Sequence, residues 1–159
     1  MAKPAFRIEN RLGVPAPPLA VWEVLADVGG WPAWNPMYPK AAGKLRIGDR
    51  LTLTEAVAGL PPQVITPVIV DWAPELQILW RLSERGGLIQ RLGYIEIEKL
   101  TEEACILSSG EVWSGRLAPF VARRRRRAIR AALEAMNEAL SARAVARWRA
   151  DHGAPTSQQ

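Results

Sequence analysis

The feature that most constrains this sequence is a long uninterrupted helical pattern near its end, from Leu117 to Trp148. Apolar residues recur there at steps of three and four, which places them on one side of a helix of about 30 residues. They are Val121, Ala128, Ile129, Ala132, Leu133, Met136, Ala139 and Leu140. Pro119 stands where a first helical turn tolerates proline, and neither Pro nor Gly follows before Gly153. Because one side of this helix is apolar, the sequence predicts a sheet packed against it.

The residues before this helix are typical of strands with one or two short helices near the start. Phe6, Ile8 and Leu12 alternate with charged residues, as a strand with one buried face does. A short amphipathic helix is indicated from Pro18 to Gly29, and the proline-rich segment 31–39 is expected to be a packed loop or a further short helix. Six strands are then predicted, at 44–47, 50–57, 63–72, 76–82, 88–99 and 104–114. Because no helix separates them, we expect an antiparallel sheet and an α+β fold.

Length and composition predict one domain. A chain of 159 residues can bury about 68–70% of its unfolded surface, enough for one core. We expect a single domain over residues 1–150 and a flexible polar tail over 151–159. No run approaches 18 apolar residues, so no transmembrane segment is predicted, and the first 15 positions lack a signal-peptide core. These features predict a cytoplasmic protein.

The sequence excludes several kinds of catalysis. The only histidine, His152, lies in the polar tail, so catalytic triads and histidine-containing zinc sites are not expected. The only cysteine, Cys105, lies in an apolar run and is predicted to be a buried small residue without a disulfide partner. We therefore predict no metal, no cofactor and no catalytic residue.

Positive charge is concentrated in the long helix. Residues 116–149 contain ten arginines and only two glutamates. The run Arg123 to Arg127 is compatible with a surface for nucleic acid or anionic membranes. Against this, five consecutive helical residues point in all directions, and no aromatic residues are interleaved to stack on bases. A solvated helix face is the simpler interpretation, so nucleic acid is an unlikely partner.

Arg125 differs from its neighbours because it lies four residues from both Val121 and Ile129, within the apolar side of the helix. A cation in that position must pair, reach solvent or meet an anionic ligand. Extension of the side chain to a pocket mouth and contact with an acidic ligand group are both compatible with the pattern.

Six short phrases, in this order and spacing, resemble the SRPBCC proteins, also called the START-like or polyketide cyclase/dehydrase and lipid-transport superfamily. They lie at 21–27 (Val-Trp-Glu-Val-Leu-Ala-Asp), 34–36 (Trp-Asn-Pro), 43–48, 76–80, 110–115 and 134–140. The resemblance covers roughly residues 4 to 148. It implies a helix-grip fold, in which a curved antiparallel sheet of about six or seven strands wraps the C-terminal helix and encloses an apolar cavity. The superfamily contains carriers of hydrophobic ligands, cyclases, hormone receptors and many small bacterial proteins, which this chain resembles most.

Relatives often carry a histidine in the strand that corresponds to 88–99, and here the alternation with Ile95 places Gly93 at that position. The glycine removes a possible acid or base and is expected to enlarge the cavity. The candidate ligand-binding residues are those expected to line it: Trp34, Leu53, Val68, Trp80, Gly93, Ile95, Glu111, Trp113, Phe120, Arg125 and Met136.

Glu111 is the only acid that we expect on the inner wall, among apolar residues of strand 104–114. A turn centred on Glu102 would place Glu111 opposite Gly93 and leave it for a ligand. A turn centred on Thr101 would place it opposite Arg91 as a structural ion pair. Pairing with Arg91 or another basic group such as Arg125 is the more economical interpretation, since an unpaired buried carboxylate is costly.

Three functions remain open. The first is binding of a small hydrophobic or amphipathic molecule, such as a lipid, polyketide or aromatic compound, with Glu111 and Arg125 orienting its polar end. The second is a polyketide cyclase or dehydratase, with Glu111 as its only candidate base. The third is an adaptor that binds RNA or an acidic partner through the arginine-rich helix. The sequence does not indicate an oligomeric state.

Overall fold

The computed structural model describes residues 5–152, which form eight strands and two α-helices. In chain order the elements are β1 (Phe6–Val14), α1 (Pro18–Ala26), a 3₁₀ helix (Val28–Ala33), β2 (Lys40–Ala42), β3 (Thr52–Glu55), β4 (Gln63–Ile65), β5 (Val68–Ala73), β6 (Gln77–Glu84), a 3₁₀ turn (Arg85–Gly87), β7 (Ile89–Thr101), β8 (Ala104–Ser114) and α2 (Ala118–His152). The helix expected after β1 is α1, with Pro18 in its first turn. The proline-rich segment is partly the 3₁₀ helix, which follows α1 directly.

The strands form two antiparallel sheets. Five of them are ordered β1-β8-β7-β6-β5, and three are ordered β2-β3-β4. Helix α2 packs against β1, β8 and α1, so the sheet holds the helix on its concave side. This is the α+β helix-grip arrangement expected from the sequence, with eight strands in two sheets where about six or seven in one sheet were predicted.

Helix α2 buries one stripe of side chains against the sheet. Its most buried apolar members follow helical spacing from Ile129 through Leu133 and Met136 to Leu140. Val121, Ala128, Ala132 and Ala139 flank this stripe and are half-buried. The helix continues through Asp151 and His152, so the predicted tail starts too early at 151, and residues 153–159 lie outside the described range. No helix within residues 5–152 is long and apolar enough to cross a membrane.

Two strand predictions are wrong in detail. The predicted strand 63–72 divides into β4 and β5 at Pro67, because proline has no amide hydrogen to donate to a neighbouring strand. The predicted strand 44–47 is a turn, in which Arg46 N donates to Lys44 O and Asp49 N donates to Arg46 O. The strand of this region, β2, precedes that turn.

The β7–β8 hairpin sets the inner face of the large sheet. Gly93 lies opposite Glu111, and Arg91 lies opposite Trp113. Since cross-strand partners share a face, Arg91, Gly93, Glu111 and Trp113 all lie on the face toward the core. The register is the one that a turn centred on Glu102 predicts.

Candidate functional site

A buried ionic cluster lies on the inner face of the large sheet and is centred on Arg91 of β7. Its Nη2 atom donates to Glu111 Oε1 at 2.6 Å and to Glu55 Oε2 at 2.5 Å. Its Nη1 atom donates to Glu84 Oε1 at 2.9 Å. The side chain of Arg91 is only 3% exposed. One guanidinium therefore joins carboxylates from β3, β6 and β8.

Glu111 is fully engaged within this cluster. Trp113 Nε1 donates to Glu111 Oε2 at 2.8 Å, so each carboxylate oxygen accepts a hydrogen bond. The Arg91 guanidinium lies over the Trp113 ring, 4.8 Å from its centroid. The sequence analysis linked the Gly93 register to a free Glu111, and this link is wrong. Arg91 is long enough to reach its diagonal neighbour, so the ion pair forms in that register.

Burial and charge fix the protonation states at the centre of this cluster. Burial by itself would lower the pKa of Arg91, but Glu111 and Glu55 more than offset this and hold its pKa well above the ordinary value. Tyr38 is buried beside the cluster, and burial, Glu55 and Glu111 together raise the pKa of its hydroxyl well above the ordinary value. At neutral pH Arg91 is therefore charged and Tyr38 is neutral.

Glu55 was missed by the sequence analysis, although a signal was present. Leu51 and Leu53 alternate with Thr52 and Thr54, so the inward parity of the strand continues to Glu55. Glu55 is buried, with 6% of its surface exposed. Its long-range contact with Arg91, 36 residues away, could not be inferred from strand alternation alone.

Glu55 also lines a small pocket that opens beside α2. The pocket has a volume of about 130 Å³ and lies under the β3–β4 loop, residues 56–62. Its wall is formed by Val57, Leu60, Pro61, Pro62, Gln63 and Arg125 in addition to Glu55. Gln63 Nε2 donates to Glu55 Oε1 at 3.0 Å. Arg125 of α2 is half-buried and lines this wall.

The β3–β4 loop separates this pocket from a second one. Ala56 and Ala58 line an apolar pocket of about 230 Å³ against Ala128, Ala131, Ala132 and Ala135 of α2. Val57, between the two alanines, lines the Glu55 pocket. The β3–β4 loop therefore covers the space between α2 and the small sheet.

Five of the predicted cavity residues lie within the packed core. They are Leu53, Trp80, Ile95, Trp113 and Met136. The Trp80 ring fills the space that a side chain at Gly93 would occupy, because a Cβ atom there would overlap the indole. The glycine therefore accommodates Trp80 and does not enlarge a cavity, contrary to the expectation from the sequence. The pockets described here are lined by other residues.

The remaining predicted residues lie farther out. Trp34 is half-buried and packs edge-on against Trp31, and Val68 is half-buried at the start of β5. Phe120 is 69% exposed at the first turn of α2. The structure thus brings Glu111, Trp113 and Gly93 together and places Arg125 at the Glu55 pocket, whereas Phe120 does not line that pocket.

A second buried polar cluster attaches α2 to the sheet. Asn137 Oδ1 accepts a hydrogen bond from the Ser109 hydroxyl of β8. Asn137 Nδ2 donates to Asn10 O at 3.1 Å and to Asn10 Oδ1 at 2.9 Å on β1. This cluster is neutral and saturates the Asn137 amide. Within residues 5–152, no three His, Cys, Asp or Glu side chains are placed to hold a metal ion.

Comparison with known proteins agrees with this architecture. The family model described as polyketide cyclase / dehydrase and lipid transport matches residues 5–149. No curated protein matches the chain. Among solved structures, the Zhui aromatase/cyclase from Streptomyces sp. R1128 is similar with a TM-score of 0.73 and 24% identity, over 95% of this chain and 100% of that one.

Two further structures share the fold. A norcoclaurine synthase from Thalictrum flavum, solved as a point mutant with a transition-state analogue, has a TM-score of 0.70 and 19% identity, over 92% of this chain and 98% of that one. A START superfamily protein from Mycobacterium smegmatis has a TM-score of 0.69 and 19% identity, over 88% of this chain and 97% of that one. With its helix-grip architecture and a family match over nearly its whole length, the chain belongs to the polyketide cyclase/dehydrase and lipid transport family.

Proposed function

We propose that the protein binds a small hydrophobic or amphipathic molecule between the β3–β4 loop, α2 and the inner face of the large sheet. The observation that carries the proposal is the position of Glu55. This carboxylate belongs to the buried Arg91 cluster and also lines the pocket beside α2. It therefore connects the polar centre of the core to a surface that a ligand can reach.

Apolar surface would supply most of the affinity of such a site. Val57 and Leu60 face the Glu55 pocket, and small alanines of α2 face the pocket on the other side of the loop. Burying apolar surface contributes roughly 25 cal/mol per Å² before the costs of association. Since Trp80 and Trp113 already fill the core, a ligand larger than these pockets requires the β3–β4 loop to move away from α2.

The polar end of the ligand would be oriented at Glu55, Gln63 and Arg125. The sequence analysis assigned this role to Glu111, but Glu111 does not line this pocket, and both of its oxygens are hydrogen-bonded within the cluster, as those of Glu55 also are. Glu55 and Gln63 instead present their side chains at the pocket wall, where Arg125 supplies a positive charge. Ligands with one hydrogen-bonding group at the end of an apolar body match this wall.

The two alternative functions receive less support. A cyclase or dehydratase that uses Glu111 as a base would first have to remove it from Arg91 and Trp113. An adaptor that uses the arginine run would present residues on several sides of α2, since Arg123, Arg124, Arg126 and Arg127 are exposed while Arg125 is half-buried. The cytoplasmic location expected from the sequence stays a prediction.

Native mass spectrometry of the freshly purified protein, followed by denaturing extraction, tests the proposal. We expect a retained hydrophobic molecule in the natural sequence and a clearly smaller bound fraction in Leu60→Trp, because the larger ring fills the wall of the Glu55 pocket. Val64→Trp is the matched control, since Val64 is 68% exposed on β4 and does not line either pocket.

Melting temperatures of both variants establish that any loss of ligand is not a loss of folding. Equal retention by Leu60→Trp and Val64→Trp would place the ligand elsewhere. If the natural protein carries no ligand and takes up none from a mixture of bacterial lipid extract, the binding function is wrong.

A further inference from the structure

An open pocket at the start of α2 combines apolar and cationic walls. It has a volume of about 740 Å³ and is lined by residues of β1, the β3–β4 loop, the β6–β7 turn and the first turns of α2. Its apolar wall consists of Phe6, Leu60, Leu117, Pro119, Phe120 and Val121. It shares Leu60 and Arg125 with the Glu55 pocket, so the two are adjacent.

Large apolar side chains are unusually exposed at this end of the molecule. Phe120 is 69% exposed and Phe6 is 38% exposed, although both line the same pocket. Leu88 is 42% exposed and is joined to the beginning of α2 by the hydrogen bond from Leu117 N to Leu88 O. An apolar patch of this kind, rimmed by charged groups, is characteristic of a binding surface.

The charged rim of the pocket is entirely positive. Arg85, Arg123, Arg124 and Arg125 line it, and no Asp or Glu does. Across the described range, none of these four guanidinium groups has a carboxylate within 4.0 Å, whereas Arg91 has three. Arginine binds carboxylate, sulfonate and phosphate groups through two parallel hydrogen bonds. The presence of four arginines and no acidic residue in the lining of one pocket favours an anion.

We propose that this pocket binds the anionic head of a single amphipathic molecule, a hydrophobic carboxylate or a chemically similar anion, whose apolar body lies on Phe6, Phe120 and Leu60. The proposal deepens the proposed function and rests on it, because the shared Leu60 and Arg125 allow the body of the same ligand to continue toward the Glu55 pocket. It adds the class of the ligand: an anion, selected over a neutral or cationic molecule of the same length.

A charge series with one constant tail tests this selectivity. Laurate, dodecanol and dodecyltrimethylammonium are titrated separately into ligand-free protein, the two ions below their micelle-forming concentrations and dodecanol below its solubility limit. Binding is followed by calorimetry or native mass spectrometry. We expect laurate to bind at least about tenfold more tightly than dodecanol, because hydrogen bonds to charged groups are the stronger ones. The preference should fall at high salt, since screening weakens exposed charges.

Two triple variants of the same helix separate the pocket from net charge. R123Q/R124Q/R125Q removes three of the arginines that line the pocket, and R126Q/R127Q/R130Q removes three exposed arginines that do not line it. Only the first variant should lose the preference for laurate over dodecanol. An equal loss in both variants would reduce the effect to general attraction by a basic helix and would overturn the proposal.

The remaining outcomes distinguish this proposal from the proposed function. Equal binding of laurate and dodecanol would overturn anion selection while leaving hydrophobic binding intact. Binding to phosphatidylglycerol vesicles without binding to monomeric laurate would identify a membrane surface as the partner and overturn a single-molecule site. Failure of all three probes, in a protein that retains a neutral ligand on purification, would reject the anionic class alone.

Discussion

Two buried polar clusters stand side by side on the inner face of the sheet, and they differ in charge and in what they connect. Ser109 and Glu111 are successive inward residues of β8. Ser109, Asn137 and Asn10 form a neutral hydrogen-bonded cluster that joins β8 to α2 and β1. Glu111, Arg91 and Glu55 belong to an ionic cluster that joins the two sheets, and Glu55 also lines a pocket.

The difference separates a structural role from a candidate functional one. Asn137 has both amide atoms satisfied within the fold and lines neither of the pockets beside the β3–β4 loop. The ionic cluster contains three carboxylates for one guanidinium, and Glu55 and Gln63 remain at a pocket wall. A buried cluster with excess charge and an opening costs more to maintain than a neutral one, which favours a role in binding.

The largest effect is expected from Arg91→Met, which leaves Glu55 and Glu111 buried without a cation. Breaking a buried ion pair by removing one partner typically costs about 3–5 kcal/mol of unfolding free energy. Urea unfolding, followed by tryptophan fluorescence, measures the loss. Arg91→Met combined with Glu55→Gln and Glu111→Gln should recover most of the stability, because the only carboxylate of the cluster that then lacks its cation is Glu84, whose side chain is 18% exposed. A loss below about 1 kcal/mol for Arg91→Met alone would mean that water enters the cluster.

A smaller effect is expected from Asn137→Ala in the neutral cluster. The change leaves the Ser109 hydroxyl and the Asn10 side chain without their partner, which costs about 1–3 kcal/mol, partly offset by the higher helix propensity of alanine. The same urea unfolding measures it, and a double-mutant cycle with Ser109→Ala isolates the hydrogen bond. Ligand retention should be unchanged. Loss of ligand at full folding would assign the neutral cluster to the binding site.

The two tyrosines are expected to affect the free energy of unfolding least at neutral pH. Tyr38 lies beside the ionic cluster, and Tyr94 lies on the outer face of the large sheet. Burial raises the pKa of both hydroxyls, with Glu55 and Glu111 contributing at Tyr38 and the hydrogen bond to Glu9 contributing at Tyr94. The unfolded chain therefore releases these protons first, and stability should fall as the pH rises above about 10. Absorbance of tyrosinate should appear only with unfolding.

The variants Tyr38→Phe and Tyr94→Phe assign the tyrosinate signal to one tyrosine or the other. A tyrosine that titrates at a pH of about 10 in the folded protein would show that its surroundings are wetter than the structure indicates.

Much of the architecture follows from local patterns. The three- and four-residue spacing from Ile129 to Leu140 predicts the buried stripe of α2, because helical geometry alone places these side chains on one side. Strand parity likewise predicts that Glu111 faces inward. The division of 63–72 at Pro67 was available in the sequence, since proline interrupts strand pairing, but it was outweighed by the apolar run.

The contacts within the core could not be predicted from local patterns. The pairing of Arg91 with Glu55 depends on how a small sheet folds over a large one, which no periodicity within β3 or β7 encodes. Filling of the expected cavity depends on the orientation of the Trp80 ring above Gly93. Both are long-range packing outcomes, and for that reason Glu55 replaces Glu111 in the proposed site, beside the Arg125 that the sequence analysis had already named.

The contact between Trp80 and Gly93 limits which side chains position 93 can carry. The two residues face each other across β6 and β7, and the indole occupies the space of the absent side chain. A histidine cannot be introduced at position 93 unless the residue at position 80 becomes smaller. An acid or base at position 93 therefore requires a second substitution at position 80, and a sequence with a large side chain at both positions would be overpacked.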